Sequence, residues 1–478
     1  MLSVFLEGHE NYYALSDVIR LFWNKISENR NQRVITCSDC LEDVSIFSRV
    51  NSDLSVETFI NINESVKYSA DSVNHLEPIE TKRELKRQLY ILLEHYTGKS
   101  FPWGCLTGIR PTLVAGEYDN YEDVKNLYLV REDKAKLAYE VKKSEDRMLS
   151  KHSRENLNIY VGVPFCPSRC EYCSFISQDI AHHINRLEDY ERALKCEIKY
   201  LGKRINREID SLYIGGGTPT VFDDKLFENM LQTVMQDLPI STDTEITVEA
   251  GRPDTITDYK LDVIRDLGVK RICINPQTMN STTLTKLNRR HTAEDIVNAY
   301  KMAVNKGIEI INMDLIAGLK YEEPEELILS LKKLFELNPA NITIHTLYKK
   351  RSSAMSKQDI VNRLQEDRKL DSAVSMAYEL LEEKGYFPYY MYRQKDTGHG
   401  LENVGFARSG TECYYNVAMM TDARDVLSFG AGGMSKRVFE EISPGKYRVE
   451  RHSCVKDVLL YIKNVEDIAS RKADFFNI

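Results

Sequence analysis

Between about residues 155 and 350 the sequence repeats one pattern: a short β-branched apolar run, a loop and an amphipathic helix. The runs are NIYVGVPF (158–165), SLYIGGGTP (211–219), EITVEAG (245–251), VKRICINPQ (269–277), EIINMDLIAGL (309–319) and NITIHTL (341–347). Runs this apolar predict strands buried on both faces, and their alternation with helices predicts a parallel sheet with right-handed crossovers. We therefore expect an α/β fold, an incomplete (β/α)6 barrel with its chemistry at the C-terminal strand ends.

Helical spacing between the runs supports this pattern. Tyr190, Leu194 and Ile198 recur at the spacing of one helix face after the first run. Thr292 is a favourable N-cap for another helix, and Gly307 marks the expected end of that helix. The sequence therefore predicts helices between successive strands.

A chain of 478 residues is too long for one domain of about 150 residues, so we expect three parts. Residues 1–150 are predicted to form an α+β domain with a helical connector, because strand-like runs such as VSIFSRV precede charged helical stretches. Residues 151–385 hold the barrel. Residues 386–478 contain the aromatic stretch YFPYYMYRQK and the glycine-rich stretch LSFGAGGMSKRVF, which favour a small C-terminal domain covering the substrate site.

Composition narrows the functional classes. Hydrophobic residues make up 42% of the chain, but no segment approaches the roughly 20 uninterrupted apolar residues of a membrane span. The net charge of −8 argues against nucleic acid as a partner, because nucleic-acid binders usually carry a basic balance or stripe. The start, MLSVFLEGHENYY, lacks a basic leader, so we expect a cytoplasmic protein whose ten cysteines stay reduced.

Three cysteines fall within eight residues at the end of the first predicted strand. Cys166, Cys170 and Cys173, in VPFCPSRCEYCSF, can point from one loop toward one centre. A structural zinc site nearly always has four ligands, whereas an iron–sulfur cube held by three thiolates leaves one iron open. The alternatives are three buried small hydrophobes, or a zinc ion completed by a remote Cys or His. The position at a strand end favours the cluster.

Other predicted strands also end in glycine or polar residues. GGGTP (215–219) closes the second run, and its glycines let backbone approach a ligand closely. Glu249 ends the third run and Gln277 ends the fourth, while Arg289 lies in LNRRHT and Asp314 in NMDLIAGL. Alone, each of these polar residues is more often a cap or a satisfied core group. Their recurrence at successive strand ends predicts a shared site.

The motif Cys-x3-Cys-x2-Cys after the first strand of a predicted βα barrel resembles the radical S-adenosyl-L-methionine (SAM) enzymes. That resemblance implies a 4Fe–4S cluster whose open iron binds the amino and carboxylate groups of SAM. It also implies that an electron passed through the cluster cleaves SAM to methionine and a 5′-deoxyadenosyl radical. The expected cofactors are therefore a 4Fe–4S cluster and SAM, and an unidentified electron donor is an expected partner.

Longer motifs narrow the resemblance. Six of these motifs are VPFCPSRCEYCSF, YIGGGTPT, EAGRPDTI, GVKRICINPQTMN, LNRRHT and INMDLIAGL. Five more are LTGIRPT, HTLYKKRSS, MYRQK, ENVGFA and GAGGMSK. Their order resembles the oxygen-independent coproporphyrinogen III dehydrogenases, and best the HemZ branch, over about residues 100–440. The resemblance implies oxidative decarboxylation of two propionates of coproporphyrinogen III to vinyls, giving protoporphyrinogen IX in heme biosynthesis.

The same resemblance implies roles for individual residues. It implies that Cys166, Cys170 and Cys173 ligate the 4Fe–4S cluster. The positions similar to those that hold the cluster-bound SAM are Tyr160, Gly216 and Glu249. The positions that align with contacts to a second SAM in the best-known branch are Tyr172, Gly217, Thr218, Gln277, Arg289 and Asp314.

A tetrapyrrole substrate with four carboxylates needs cations and flat apolar walls. Lys350 and Arg351 follow the sixth predicted strand, and Arg393 lies among tyrosines in YYMYRQK. Arginine forks match carboxylates well, so these three residues are candidate substrate contacts. For any one basic cluster, a solvated surface face is the alternative.

Phe175 departs from the dehydrogenase pattern. In the well-characterised branch a fourth cysteine lies two residues after the third, whereas this motif ends in CSF, closer to the CDF of the related heme-chaperone branch. We therefore keep two alternatives within the resemblance: a heme-binding chaperone that retains the cluster, and a radical SAM enzyme of other tetrapyrrole chemistry. A zinc-binding structural protein is the alternative from another class.

Cys37 and Cys40, in TCSDC, form a second cysteine group. The Cys-x-x-Cys spacing is known for redox-active dithiols and for metal ligands. No second pair lies nearby in the sequence, so we expect a structural role and leave this pair outside the site.

Overall fold

The computed structural model describes residues 1–478 except 24, 41, 63–64, 74–76, 174–177, 181–182, 348–356, 395–399 and 444–445. For residues 62, 65–73, 357–366 and 443 it describes the backbone alone. The chain forms two compact units. Unit 1 consists of Met1–Lys142, Tyr348–Asp371 and Met391–Glu402, and unit 2 of Lys143–Leu347, Ser372–Tyr390 and Asn403–Ile478. The division at residues 150 and 385 that the sequence predicts stays a prediction.

Strands occur throughout the described residues. They are β1 (Leu2–Glu7), β2 (Ile26–Asn29), β3 (Val34–Cys37), β4 (Val44–Val50), β5 (Val56–Ile62), β6 (Ser65–Val73), β7 (Leu157–Val163), β8 (Phe165–Cys166), β9 (Gln178–Asp179), β10 (Ile209–Gly216), β11 (Glu245–Gly251), β12 (Arg271–Ile274), β13 (Ile310–Ala317), β14 (Asn341–Thr346), β15 (Phe387–Arg393), β16 (Glu402–Ala407), β17 (Asp425–Phe429), β18 (Met434–Ser443) and β19 (Lys446–Ser453).

Helices alternate with many of these strands. They are α1 (Tyr12–Phe22), α2 (Pro78–Thr97), α3 (Pro111–Ala115), α4 (Tyr121–Tyr128), α5 (Glu132–Leu149), α6 (Leu187–Gly202), α7 (Asp224–Asp237), α8 (Asp258–Asp266), α9 (Ser281–Lys286), α10 (Ala293–Asn305), α11 (Glu325–Leu337), α12 (Lys357–Glu383), α13 (Tyr414–Met420), α14 (Val458–Lys463) and α15 (Val465–Phe476). Each helix among the described residues is too short or too polar to cross a membrane.

Unit 1 contains a six-stranded sheet in the order β2-β3-β1-β4-β5-β6. Strand β1 pairs antiparallel with β3 and parallel with β4. Alternation along β1 places Leu2, Val4 and Leu6 in the core, while the residues between them lie on the other face. Helices α1 and α2 contribute Leu15 and Leu89 to the same core, so one face of the sheet is covered by helices.

Most strands of unit 2 belong to an eleven-stranded sheet in the order β15-β16-β14-β13-β12-β11-β10-β7-β17-β18-β19, while β8 and β9 form a separate two-stranded sheet. The six predicted strands are β7, β10, β11, β12, β13 and β14, which lie side by side in chain order and are all parallel. The α/β class predicted from the sequence is therefore confirmed. Strand β17 pairs in parallel with the free side of β7, and the sequence analysis did not predict this seventh parallel strand.

The connections between the six strands follow the predicted pattern. Helices α6, α7, α8, α10 and α11 lie between successive strands of the chain. Thr292 caps α10, because its hydroxyl accepts from the Asp295 amide at 3.2 Å while the Asp295 carboxylate accepts from the Thr292 amide at 2.8 Å. Gly307 follows the helix with φ of +83°, a conformation that glycine adopts without strain. Since the strands are parallel, their C-terminal ends meet at one edge of the sheet.

Candidate functional site

The loop that carries Cys166, Cys170 and Cys173, which we call the cysteine loop, begins directly after β7. Cys166 ends β8, which pairs with β9 and so closes the base of the loop. The Cys173 amide donates to the Cys170 carbonyl at 3.1 Å, which forms a tight turn between these two cysteines. All three thiols are partly exposed, whereas Cys37, Cys40, Cys105, Cys273, Cys413 and Cys454 are buried. Among the described residues, no three His, Cys, Asp or Glu side chains are grouped as a single metal ion would need.

Hydrogen bonds fix the cysteine loop against the segment that follows α9. The Ser168 hydroxyl donates to the Asn288 carbonyl at 2.7 Å, and the Asn288 side chain donates to the Arg169 carbonyl at 3.0 Å. The Glu171 amide donates to the Leu287 carbonyl at 3.2 Å. Asn288 has φ of +62°, which asparagine tolerates better than most residues. The cysteine loop is therefore held in position by the segment that connects β12 with β13.

Two buried arginines approach Cys170. Nη1 of Arg289 lies 3.8 Å from its sulfur, and Nη1 of Arg252 lies 4.0 Å away. Arg289 also donates to the Tyr172 hydroxyl at 2.9 Å and to the Asn275 carbonyl at 2.6 Å. Hydrogen-bond donors and positive charge beside the cluster sulfurs are features of iron–sulfur sites. The loop therefore has both the donor type and the local charge that an iron–sulfur cluster requires.

The glycine turn after β10 lies directly against the cysteine loop. The Gly217 amide donates to the Val163 carbonyl at 2.8 Å, and the Thr218 amide donates to the Phe165 carbonyl at 2.7 Å. A Cβ at Gly217 would lie 2.4 Å from the Phe165 carbonyl oxygen, so any other residue would push the two segments apart. The Thr218 hydroxyl reaches the sulfur of Cys166 at 3.6 Å. The structure thus brings the predicted turn and the first predicted cluster ligand together.

Glu249 lies beside the same turn. Its carboxylate accepts from the Gly216 amide at 3.2 Å and from the Tyr213 hydroxyl at 2.7 Å. Burial raises the pKa of Glu249 to about 7, although the hydrogen bond from Tyr213 acts in the opposite direction. The Tyr160 ring stacks on Tyr213 with 6.4 Å between ring centroids. Glu249 can therefore exchange a proton near neutral pH or accept a bond from a ligand.

Gln277 and Asp314 meet between β12 and β13. The Gln277 amide donates to the Asp314 carbonyl at 2.9 Å, and Gln277 adopts φ of +68°. Oε1 of Gln277 and Oδ1 of Asn275 are both buried and have no hydrogen-bond partner among the described residues. A buried unpaired acceptor costs about 1–3 kcal/mol, so donors on a bound ligand would relieve this cost. This pair of unpaired acceptors fits a site that is completed by a ligand.

Tyr172 and Asp314 extend the group of predicted residues. Tyr172 packs against the apolar cluster of Leu287, Ile316 and Leu319 and receives the bond from Arg289. A carboxylate oxygen of Asp314 lies 3.5 Å from Nε2 of His345 at the end of β14. The structure therefore brings the twelve predicted cluster and SAM residues into one unit and links them by contacts at successive strand ends, although it does not test their roles.

The predicted substrate residues are placed differently. Lys350 and Arg351 lie outside the described residues, as does Phe175. Arg393 belongs to unit 1, where its guanidinium is buried and donates to the carbonyls of Leu106, Gly108 and Gly400. Burial lowers the pKa of Arg393 to about 10, although the nearby charge of Glu402 opposes this effect. Hydrogen-bond donors of Arg393 are therefore taken up by backbone carbonyls. A role of Arg393 in substrate binding stays a prediction.

Sequence reasoning missed Arg252 and Tyr213. Arg252 stands directly after β11 in EAGRPDTI, so its position at a strand end was a usable signal. Tyr213 lies inside the apolar run SLYIGGGTP, where nothing distinguishes it from a core residue. Only the tertiary contacts show that both side chains touch predicted site residues.

Known proteins resemble this chain in sequence. Residues 160–332 match the model of the radical SAM superfamily. The chain is 32% identical over 434 residues to the oxygen-independent coproporphyrinogen-III oxidase-like protein HemZ of Bacillus subtilis, which covers 86% of this chain and 84% of that protein. This chain is a radical SAM protein of the HemZ family.

Two other relatives show the breadth of the family. The heme chaperone HemW of Escherichia coli is 27% identical over 286 residues, which covers 60% of this chain and 71% of that protein. The solved structure of Escherichia coli HemN, described as a coproporphyrinogen III oxidase and a radical SAM enzyme, covers 68% of this chain and 72% of its own. Its TM-score of 0.51 at 20% identity shows a shared fold. The chain therefore belongs to the HemN, HemZ and HemW family of heme metabolism.

Membership of the radical SAM superfamily establishes the cofactors as a 4Fe–4S cluster and SAM. The described residues fit these groups in two respects. The loop offers three partly exposed thiols beside buried cations, and the neighbouring strand ends offer buried acceptors without partners. Cys166, Cys170 and Cys173 could hold the cluster, and residues from Gly216 to Asp314 could hold SAM.

Proposed function

We propose that this protein is a radical SAM oxidoreductase that decarboxylates two propionates of coproporphyrinogen III to vinyls without oxygen. The product would be protoporphyrinogen IX, an intermediate of heme biosynthesis. The observation that carries the proposal is the 32% identity to HemZ over 86% of the chain. The proposal includes a tetrapyrrole substrate, an unidentified electron donor and a cytoplasmic location.

Within this proposal, Cys166, Cys170 and Cys173 hold the cluster as thiolates. Bound together, the cluster and SAM supply the one-electron chemistry that removes a hydrogen atom from an unactivated carbon. Two hydrogen bonds join the cysteine loop to Asn288 in the segment after α9. A loop that is fixed by such bonds loses less conformational entropy when it takes up a ligand.

The strand ends would bind SAM through complementary polar groups. The Glu249 carboxylate can accept hydrogen bonds from ribose hydroxyls, since the side-chain and backbone donors that reach it among the described residues, Tyr213 and Gly216, are both neutral. Buried oxygens of Gln277 and Asn275 can accept from ligand N–H groups. Arg289 contributes a positive charge and Asp314 a negative charge to the same set of predicted SAM residues. The proposal assigns Tyr160, Tyr172, Gly216, Gly217 and Thr218 to SAM contacts as well.

The test is an anaerobic product assay. Protein reconstituted with iron and sulfide would be incubated with SAM, a reductant and coproporphyrinogen III, and products would be separated by chromatography. The proposal expects 5′-deoxyadenosine together with harderoporphyrinogen or protoporphyrinogen. Cys170→Ala should form neither, whereas Cys196→Ala, which changes an exposed cysteine on α6, should retain both. Cleavage of SAM without any decarboxylated porphyrinogen would overturn the decarboxylase proposal.

A heme chaperone is the second candidate. It is favoured by the CSF ending at Phe175 and by the 27% identity to HemW. A chaperone would bind heme stoichiometrically and pass it to an acceptor protein, and it would leave coproporphyrinogen III unchanged. Absorbance titration with heme, followed by transfer to an apo-acceptor, separates this candidate from the decarboxylase.

A further inference from the structure

Two guanidinium groups converge on the sulfur of Cys170. Arg252 and Arg289 approach it with Nη1 at 4.0 and 3.8 Å. Both side chains are deeply buried, with 3% and 5% of each residue exposed. Buried cations keep most of their electrostatic effect because little water screens them. Two positively charged groups therefore lie close to the sulfur of Cys170.

A carboxylate and an imidazole connect these two arginines. The two oxygens of Asp254 accept from Nε and Nη2 of Arg252, each at 3.1 Å. Nδ1 of His291 lies 3.7 Å from Asp254, and its Nε2 accepts from Nε of Arg289 at 3.4 Å. Burial lowers the pKa of His291, so the ring is neutral at neutral pH. We call Arg252, Asp254, His291 and Arg289 the arginine clamp, and its net charge is one positive unit.

Arg252 also holds the backbone of the cysteine loop. Its Nη1 donates to the Ser168 hydroxyl at 2.9 Å and to the Ser168 carbonyl at 3.2 Å. The opposite edge of the guanidinium is fixed by the two bonds to Asp254. A bidentate pair sets the direction of an arginine as well as its position. Arg252 therefore points a defined edge at Ser168 and Cys170.

We propose that Arg252 is a positioning residue that holds Cys170 in place and, with Arg289, raises the reduction potential of the iron–sulfur cluster. This inference rests on the proposed role of Cys170 as a cluster ligand. Hydrogen bonds and positive charge at cluster sulfurs stabilise the reduced form, which carries one more negative charge. Asp254 opposes the effect through its own charge while it orients Arg252.

The test is a redox titration of the anaerobically reconstituted protein, followed by electron paramagnetic resonance. Arg252→Gln should lower the equilibrium constant for one-electron reduction at least tenfold, a negative midpoint shift of about 59 mV. Asp254→Asn keeps an acceptor oxygen but loses its charge, so its midpoint should move in the positive direction. Arg265→Gln, on α8, removes the same charge from a side chain that contacts only Asp262 and Asp266 among the described ion pairs, and should match the parent.

An Arg252→Gln midpoint equal to that of the parent overturns the inference. Circular dichroism and iron content establish that each variant is folded and loaded. If Arg252→Gln does not fold, Asp254→Asn decides alone, and a midpoint equal to or more negative than the parent overturns the inference. If the parent protein takes up no 4Fe–4S cluster, the proposed function is wrong as well. If the parent is loaded and the variants have the same reduction midpoint as the parent, only the role of the arginine clamp is wrong.

Discussion

The two cysteine groups of this chain have similar spacings and opposite surroundings. Cys37 and Cys40 lie in the hydrophobic core of unit 1, where burial raises the pKa of Cys37 to about 11. Cys170 is partly exposed in unit 2, with two buried guanidinium groups near its sulfur. Since the thiolate is the form that binds metal, burial suppresses metal binding by Cys37, whereas the sulfur of Cys170 is partly exposed and lies beside two cations. Local charge and exposure therefore distinguish the groups where spacing does not.

Two buried carboxylates repeat this contrast. In unit 1, Glu402 accepts from Nζ of Lys134 at 2.6 Å and from the Trp103 indole at 2.7 Å. Burial alone would raise the pKa of Glu402, but these partners outweigh it and hold the pKa below its ordinary value. In unit 2, Glu249 is bonded by neutral donors and its pKa is raised to about 7. The ion pair with Lys134 fixes the first carboxylate as a structural group, whereas the second accepts only neutral donors among the described residues and can still accept a bond from a ligand.

The largest expected difference concerns cluster binding. Cys170→Ala should abolish the brown 4Fe–4S absorbance of the reconstituted protein, because two thiolates hold a cluster much more weakly than three. Cys40→Ala should retain the full absorbance and iron content, since Cys40 is a core side chain. Loss of the cluster in Cys40→Ala, or its retention in Cys170→Ala, would break the comparison.

Thiol reactivity should differ by at least about 100-fold between Cys37 and an ordinary exposed thiol. The pKa of Cys37, about 11, lies two units above its ordinary value of 9.0, so its thiolate fraction near pH 8 falls by that factor, and burial slows access further. Peptide mass spectrometry after timed alkylation of the cluster-free protein measures each cysteine, with exposed Cys196 as the reference. Equal rates for Cys37 and Cys196 would contradict the buried setting.

Glu402→Gln should lower the free energy of unfolding of unit 1 by about 3–5 kcal/mol, because it leaves Lys134 buried without its anion. Both tryptophans of the chain, Trp23 and Trp103, belong to unit 1, so their fluorescence during urea unfolding reports on this unit. The matched variant Glu249→Gln should leave this transition unchanged. A loss below about 1 kcal/mol in Glu402→Gln would show that the pair is not buried as described.

Glu249 should make the stability of the cluster-free protein depend on pH. Its folded-state pKa of about 7 exceeds its ordinary value of 4.5, so the folded state binds more protons between these values. Stability from this group is complete below about pH 4.5 and falls as pH rises through 7, by up to about 3 kcal/mol. Glu249→Gln should flatten this dependence in urea unfolding followed by circular dichroism. A parallel pH profile for parent and variant would refute the raised pKa.

Local patterns in the sequence were sufficient to predict the frame of the site. The six parallel strands follow from β-branched apolar runs, and the cysteine loop and glycine turn follow from their positions after β7 and β10. Strand β17 was missed because its run, DVLSF, is short and pairs with β7 from far along the chain. Non-local pairing leaves little trace in a single sequence.

Contacts within the site were harder to predict than its location. Arg252 is charged and stands in a loop, a pattern typical of a solvated residue, but it is buried against Cys170. The unpaired oxygens of Gln277 and Asn275 depend on how three segments fold together, and no periodicity indicates that. Lys350, Arg351 and Phe175 lie outside the described residues, so their predicted roles stay predictions.

The central claim is that three thiolates hold the cluster and leave one iron open for SAM. Mössbauer spectroscopy of protein reconstituted with isotopically enriched iron, recorded before and after addition of SAM, measures this most directly. We expect one iron of the four to change its isomer shift on addition of SAM, while the other three keep theirs. An intact 4Fe–4S spectrum in which no iron responds to SAM would show that no iron of the cluster is open to SAM.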